Sequence, residues 1–535
     1  MSHKKQILQS ASVIGFFTLL SRVFGYIRDQ RLTLLLGTSV SADAFLLAFR
    51  IPSIMRRLVG EGSMNAAFIP VFSDYMGNRT REEMWRLANR VFWTMALLLA
   101  VLTILGLVFS SAVIYAFSPR GTGDLHLLGT ELNRILFPAV FFVGMGAVAI
   151  AILNGFQIFG VPAASPILVN AAFILFSMSF VWHRFGHPAK ALAVGVVVGA
   201  VLQFMMMLPQ LVRKGMRFDF GFSLQDPGVR RVARLMLPAF FGAGILHINV
   251  LVGTLFATDR RMPIGSLTSL YIGDRIMQLV LGAYAIAVAT AILPGMSRQA
   301  AAGDIPGLKT TLGFSTRIVS FITIPAAVGL IVMRKPIVQV LFEHGRFGAE
   351  SVTLTSRALL YYSLGLPAFA AAKLIVPAFY STQDTKTPMQ VAAVALVANI
   401  LFNVLFLAFF FRIFQNGIPA VAAVLASYLS FGMLFVILRN RIGALGEKEI
   451  MRSIAKAAIA AVVMGVACLA GLRISHFEAI ERFFPRLAVF LALLGGGTAV
   501  YFGVARLFKC EELGELYLMV ARRQHAEPLD AGMAG

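Results

Sequence analysis

The sequence predicts an all-α polytopic membrane protein of about 14 transmembrane helices. These are expected as two six-helix lobes around a central cavity, followed by two extra C-terminal helices. Three observations carry the prediction. Mean hydropathy is +0.80, and 58% of residues are hydrophobic against 13% charged, far from the profile of a soluble domain. Apolar stretches of about 20 residues recur along all 535 positions, the length a helix needs to cross a bilayer. Most Lys and Arg residues sit between those stretches, as membrane topology requires. The runs are too long and continuous for barrel strands.

The helices are expected near 8–34, 41–73, 91–117, 132–156, 163–183, 188–212, 232–257, 264–296, 315–342, 356–381, 387–411, 417–438, 452–473 and 486–508. The second and eighth exceed one span, and Pro52 marks a break in the second. The N-terminal MSHKKQ and its apolar run resemble a signal peptide, but no small-x-small site follows, so an uncleaved first helix is expected. Beyond 508 the chain turns polar, and RRQHAEPLDAGMAG reads as a disordered tail. With the N-terminus inside, basic residues outnumber those outside roughly twofold, placing both termini in the cytoplasm. The net charge of +22 is therefore a topology signal, with no nucleic-acid motif beside it.

Blocks repeat at a spacing of roughly 225 residues. AAFIPVFS (Ala66–Ser73) recurs as TAILPGMS (Thr290–Ser297), and AFRIPSIMRRLV (Ala48–Val59) is echoed by YIGDRIMQLV (Tyr271–Val280). NGFQIFGVP (Asn154–Pro162) aligns with YSTQDTKTP (Tyr380–Pro388). Each copy of this last block ends one helix and opens the next with proline, a favoured first-turn residue. The expected division is 1–218 as N-lobe, 219–445 as C-lobe, 446–508 as appended helices and 509–535 as a cytoplasmic tail. Gly495, Gly496 and Gly497 in the last helix favour close packing. The appended pair also suits a lipid-facing groove.

Charge inside membrane helices is costly, about 2.5–3.5 kcal/mol for a central Arg on insertion scales. The first two helices nevertheless carry Arg22, Arg28, Asp29, Asp43, Arg50, Arg56, Arg57 and Glu61, and the eighth carries Asp274 and Arg275. Such residues persist where they face a polar cavity with an anionic occupant. The expected anion-binding set is Arg22, Arg28, Arg56 and Arg275, since a guanidinium fork suits phosphate oxygens. Arg22 and Arg28 lie about 120° apart on an ideal helix, so Gly25 is a candidate bend. Arg50 and Arg57 suit snorkelling equally well. Asp29 and Asp43 are expected to pair with arginines in the empty site, and Asp274 to orient Arg275. Lys373 is a further cavity candidate, whereas Asp384 and Lys386 suit helix capping.

Other chemistries lack their residues. The eight His and two Cys residues form no metal pattern, and a Cys468–Cys510 disulfide is not expected. No Walker A loop, H-E-x-x-H or G-x-S-x-G is present, and no carboxylate set suits Mg²⁺.

SRVFGYIRD, ADAFLLAFRIPSIMRRLVGEGSMNAAFIPVFS, GDRIMQL, LPGMS and FYSTQDTKTP occur in an order that resembles the MurJ (MviN) family of bacterial lipid II flippases. That family belongs to the multidrug/oligosaccharidyl-lipid/polysaccharide exporter superfamily. The likeness extends over nearly the full length. It implies that Arg22, Arg28, Arg56 and Arg275 engage a lipid pyrophosphate. Asp43 matches an acidic position near an outer gate and Thr268 a usual small hydroxyl; Asp29, Glu61 and Asp274 are the further gate or charge-pair candidates. Gln278 departs from relatives carrying Glu there, which unsettles any carboxylate role at that site. The resemblance also implies that the appended helices accept the polyprenyl tail. It implies a transporter without cofactor in the bacterial inner membrane, with lipid II, membrane lipids and cell-wall synthesis proteins as partners and no nucleic acid. Coupling to the membrane potential is expected, with sodium or protons left open. The competing readings are a flippase for another lipid-linked oligosaccharide, a drug exporter, a membrane-embedded glycosyltransferase or phosphatase, and a cell-wall scaffold. A drug exporter calls for cavity carboxylates and the enzymes for clustered acidic or His residues. A scaffold leaves the buried arginines unexplained.

Overall fold

Proline, glycine and short polar side chains cut the apolar runs into helices with individually capped ends. The computed structural model describes the backbone of residues 3–283 and 285–515, and their side chains apart from those at 3–14, 59–62, 239–243, 245–246, 283 and 286–287. Among the described residues the chain is all-α, with no strand. The tail beyond 515 lies outside them.

The helices fall into two compact units, Met1–Ser269 with Phe342–Ser351, and Leu270–Leu341 with Val352–Gly535. The first unit holds α1 (His3–Leu36), α2 (Val40–Met55), a π-helical segment (Arg56–Ser63) and α3 (Met64–Asn78). After these come α4 (Arg81–Val108), α5 (Ser110–Phe117), α6 (Gly123–Leu136), α7 (Pro138–Gly155) and α8 (Gly160–Ala164). The remainder are α9 (Pro166–Phe176), α10 (Ser179–Trp182), α11 (Pro188–Arg213) and α12 (Pro227–Ala257). The second unit holds nearly all of α13 (Ser266–Ala283), then α14 (Ala285–Ala301), α15 (Ile305–Val332), α16 (Arg334–Phe342) and α17 (Ala349–Ser381). It continues with α18 (Lys386–Phe409), α19 (Phe411–Phe414), α20 (Ile418–Ile442), α21 (Glu447–Ile474) and α22 (Phe483–Leu507). The packing boundary near residue 270 differs from the repeat-based division at 218, because α12 packs on α3 and the π segment.

Among the described residues each predicted span is mostly helical, with breaks such as those at Phe109, Ser165 and Ser177. Among the described residues, nine helices are long and apolar enough to cross a membrane, and Gly160–Phe176 with Ser179–Phe185, bent by 72°, makes ten if taken as one span. That measure does not reach the expected fourteen. One reason is charge: α1 carries Arg22, Arg28, Asp29 and Arg31 within its apolar part. The second predicted span breaks as expected, but not at Pro52. The α-helix continues through Pro52 to Met55 and then widens into the π segment. Arg56 N–H donates to the carbonyls of Pro52 and Ser53, so the disruption is expressed in the turn after the proline.

The first unit's core joins α3, α4, α7, α11 and α12. Phe68 and Phe72 stack at 4.9 Å, Phe156 meets Phe72 edge-on at 5.3 Å, and Val148, Ile152, Leu211 and Val232 close around them. The second unit's core joins Met296, Leu312, Phe379, Val391 and Leu434. Here α21 and α22 pack on each other and α21 on α15, with the Tyr501 hydroxyl donating to the Phe321 carbonyl at 2.6 Å. Of the three consecutive glycines, Gly497 sits against Cys468, while Gly495 and Gly496 face open space.

The aligned blocks adopt one shape. In the first, Gln157 N–H donates to the Asn154 carbonyl at 2.9 Å and Ile158 N–H to the Leu153 carbonyl at 2.9 Å. In the second, Gln383 N–H donates to the Tyr380 carbonyl at 3.0 Å and Asp384 N–H to the Phe379 carbonyl at 2.9 Å. These are two Schellman closures, with Gln157 at φ 59° and Gln383 at φ 60°. Asp384 then caps α18, accepting from Thr387 N–H at 2.9 Å and pairing with Arg441. The Thr387 hydroxyl and N–H, together with Arg441, hold its carboxyl well below the usual carboxylate range.

Candidate functional site

Two arginines of α1, Arg28 and Arg31, meet polar partners on or at the end of α9. Arg28 Nη2 lies 2.6 Å from Asp29 Oδ1, and Arg28 Nη1 donates to Asn170 Oδ1 at 3.3 Å. Asn170 Nδ2 in turn reaches the Ser21 carbonyl at 3.4 Å. Asp29 is 1% exposed and the Arg28 side chain 17%, so this is a mostly buried pair. Burial of such charges is tolerated where hydrogen bonds satisfy them. One turn on, Arg31 donates from Nε to Ser177 Oγ at 2.9 Å and from Nη2 to the Ser177 carbonyl at 2.9 Å. That contact occupies the carbonyl at the end of α9.

The other predicted cations are placed differently. Arg22 is exposed on α1, and Arg56 and Arg57 are exposed on the π segment. The backbone of Glu61 lies in that segment, while its side chain is outside the described residues. In the second unit Asp274 and Arg275 are half-buried on α13. Gln278 Nε2 donates to Asp274 Oδ1 at 3.5 Å, a contact that Glu at 278 would turn into repulsion between carboxylates.

Asp43 departs from its expected pairing with arginine. Its carboxylate, 6% exposed, accepts from Gly265 N–H at 2.9 Å, Thr268 N–H at 2.8 Å and the Thr268 hydroxyl at 2.6 Å. It thus caps the first turn of α13 from another helix. Carboxylates favour this position because helix N-terminal N–H groups are unsatisfied and the dipole end is positive. Gly265 has φ +84°, and a Cβ there would lie 2.3 Å from the Thr38 carbonyl oxygen. Only glycine permits that backbone approach. Around the same turn, Arg346 N–H donates to the Leu34 carbonyl at 3.0 Å and the Thr38 and Ser351 hydroxyls lie 2.7 Å apart. The adjoining α12–α13 connection is braced by Asp259, bound at both carboxylate oxygens by Arg261. Burial raises the carboxyl of Asp259, but the Arg261 contacts outweigh it and hold it below the usual value.

Sequence reading missed Asn170, Ser177, Gly265 and Arg346. Asn170 had a usable signal, being a lone amide within an apolar helix. Gly265 and Arg346 bond through backbone groups, and Ser177 partly so, which leaves little trace in residue type. Among the described residues no His, Cys, Asp or Glu cluster suits a metal.

The family model described as lipid II flippase MurJ matches residues 32–490. The chain belongs to the lipid II flippase MurJ family. Its similarity to the probable lipid II flippase MurJ of Vibrio cholerae is 35% identity, over 81% of this chain and 82% of that protein. With the lipid II flippase MurJ of Burkholderia cenocepacia identity is 32%, over 75% and 78%. The fold is similar to the solved inward closed conformation of lipid II flippase MurJ, with TM-score 0.77 and 23% identity over 92% of this chain and 98% of that one. An inward-facing multidrug MATE transporter of the MOP superfamily gives TM-score 0.68 with 16% identity, over 82% and 99%. As a MurJ family member the chain is a multi-pass membrane transporter rather than an enzyme, and the glycosyltransferase and phosphatase readings fall away.

Proposed function

We propose that this protein moves lipid II from the cytoplasmic to the periplasmic leaflet of the bacterial inner membrane by alternating access, with both termini cytoplasmic. A disaccharide-pentapeptide on a pyrophosphate cannot cross hydrocarbon alone, because its polar groups would lose water without replacement. In this reading Arg22, Arg28, Arg56 and Arg275 replace that water around the pyrophosphate. The polyprenyl tail stays in lipid along α21 and α22, and cell-wall synthesis proteins consume the product. The observation that carries the arginine assignment is Arg28, seated by Asp29 on α1 and Asn170 on α9. This arrangement keeps a fork oriented when no ligand is bound. Asp43, tying α2 to the start of α13 inside the first unit, serves as a latch whose release frees that helix end during alternating access. A potential negative inside favours outward movement of anionic cargo by about 2.3 kcal/mol per charge per 100 mV. Sodium or proton coupling adds to this drive if either ion binds.

The test is replacement of the sole flippase of a depletion strain by variants of this chain. Arg28→Ala is expected to lower lipid II externalisation by about 100-fold or more, at unchanged protein level, if two charge-assisted hydrogen bonds are lost. Arg28→Lys is expected not to rescue it, because a point charge cannot make the paired contact. Normal externalisation by stably made Arg22, Arg28, Arg56 and Arg275 alanine variants removes the pyrophosphate assignment.

A further inference from the structure

Outside the arginine set, the second unit contains a cavity of about 490 Å³ that the transport reading leaves unused. It lies where α15 ends and α16 begins, against the end of α21. Arg334, Lys335 and Arg473 supply its cations, and Leu469 and Leu472 its apolar side. Glu478 is the one carboxylate in the lining, and it is engaged by Lys335 at 2.6 Å. Arg334 gives one Nη1 contact to the Ile331 carbonyl at 2.6 Å, which anchors the side chain and leaves its remaining N–H donors for another group. Gln339 also lines the cavity; it is 8% exposed, and its Oε1, turned into the protein, has no hydrogen-bond partner. A buried acceptor without a donor is costly. Leu469 and Val466 are also exposed along α21, so an apolar strip runs up the helix into the basic pocket.

We infer that this cavity is a binding site for an anionic phospholipid whose headgroup carries hydroxyls, of the phosphatidylglycerol type. The phosphate meets Arg334 and Arg473, a headgroup hydroxyl donates to Gln339 Oε1 once the side chain turns that oxygen toward the cavity, and an acyl chain lies along the α21 strip. Each part of the pocket has a chemical counterpart in one molecule. Two cations beyond the Lys335–Glu478 pair accommodate one phosphate charge, as basic pockets beside membrane helices do. Phosphatidylcholine offers the phosphate without net charge and without a hydroxyl donor.

The full chain, delipidated in mild detergent, is mixed with equal phosphatidylglycerol and phosphatidylcholine, and retained lipids are counted by native mass spectrometry. Wild type is expected to retain phosphatidylglycerol preferentially. The Arg334→Ala/Arg473→Ala variant is expected to lose that preference by about tenfold, the scale of one charge-assisted hydrogen bond. Gln339→Leu, nearly isosteric and uncharged, is expected to lower phosphatidylglycerol retention without changing phosphatidylcholine retention, and it decides the matter if the double variant does not fold. Equal retention of both lipids by wild type overturns the inference, as does an unchanged preference in Gln339→Leu. Displacement of phosphatidylglycerol by millimolar inorganic phosphate assigns the pocket to a soluble anion and overturns the lipid source.

Discussion

Asp43 shows how much one side chain contributes when its partners are backbone groups. Its carboxylate takes the N–H groups of Gly265 and Thr268 and the Thr268 hydroxyl. Removing it leaves buried donors without an acceptor, at about 1–3 kcal/mol each. Leu267, 1% exposed, lies between those donors and reports on the turn. A Leu267→Cys variant is expected to react slowly with a membrane-impermeant thiol reagent, and about tenfold or more faster once Asp43→Ala is added. The native Cys468 and Cys510 are both buried, which keeps the background low. Asp43→Asn retains one acceptor oxygen and should fall between. An unaltered labelling rate in Asp43→Ala would mean the latch contributes nothing. Sequence exposed the residue but not its partner: a carboxylate near arginines suggests an ion pair, whereas a distant helix N-terminus leaves no charged residue to notice.

Among the elements, the repeated helix ends give the sharpest link from sequence to backbone. Both Gln157 and Gln383 sit in the left-handed region, where a Cβ costs about 1–2 kcal/mol and glycine is the usual occupant. Both side chains are exposed, so little is lost on truncation. Gln383→Gly is therefore expected to stabilise the protein by about 0.5–1 kcal/mol, read as a rise in thermal unfolding midpoint in detergent. A fall in that midpoint would show that the side chain, not the backbone, sets the turn. The α4 start behaves as local rules anticipate: Thr80 Oγ1 accepts from Glu83 N–H at 3.2 Å and Glu83 Oε2 from Thr80 N–H at 3.1 Å, a reciprocal capping box. The π segment does not. Pro52 marked the right neighbourhood, but the winding change appears one turn later, at Arg56, whereas the proline's missing N–H and ring act on the turn before it.

Across the whole molecule, the distribution of basic residues sets the expected topology. Short segments rich in Lys and Arg resist translocation, so the basic helix ends and connections at 79–90, 213–234 and 439–456 are expected inside. Alkaline phosphatase fused after Arg184 is expected to be active, and fused after Lys214 or Lys509 inactive, with a fluorescent protein giving the opposite pattern. Activity after Lys509 would reverse the assignment of the C-terminus. The internal repeat divides the chain before α12, and the packing divides it after that helix. Repeat matching follows residue order, while packing follows which surface α12 buries, here against α3 and the π segment.

Hydropathy, basic-loop asymmetry and spaced motifs were enough for the all-α class, the approximate course of the long apolar helices and the family, since each depends on residue type along a single helix or loop. The arginines were visible for the same reason: a charge in an apolar run stands out whatever surrounds it. Tertiary structure alone decided which of them is seated, Arg28 with Asp29 and Asn170 but Arg22 and Arg56 exposed. It alone also assigned Asp43 to a helix end. Those outcomes depend on distances between residues far apart in the chain and on backbone N–H groups common to nearly every residue, so no one-dimensional pattern encodes them.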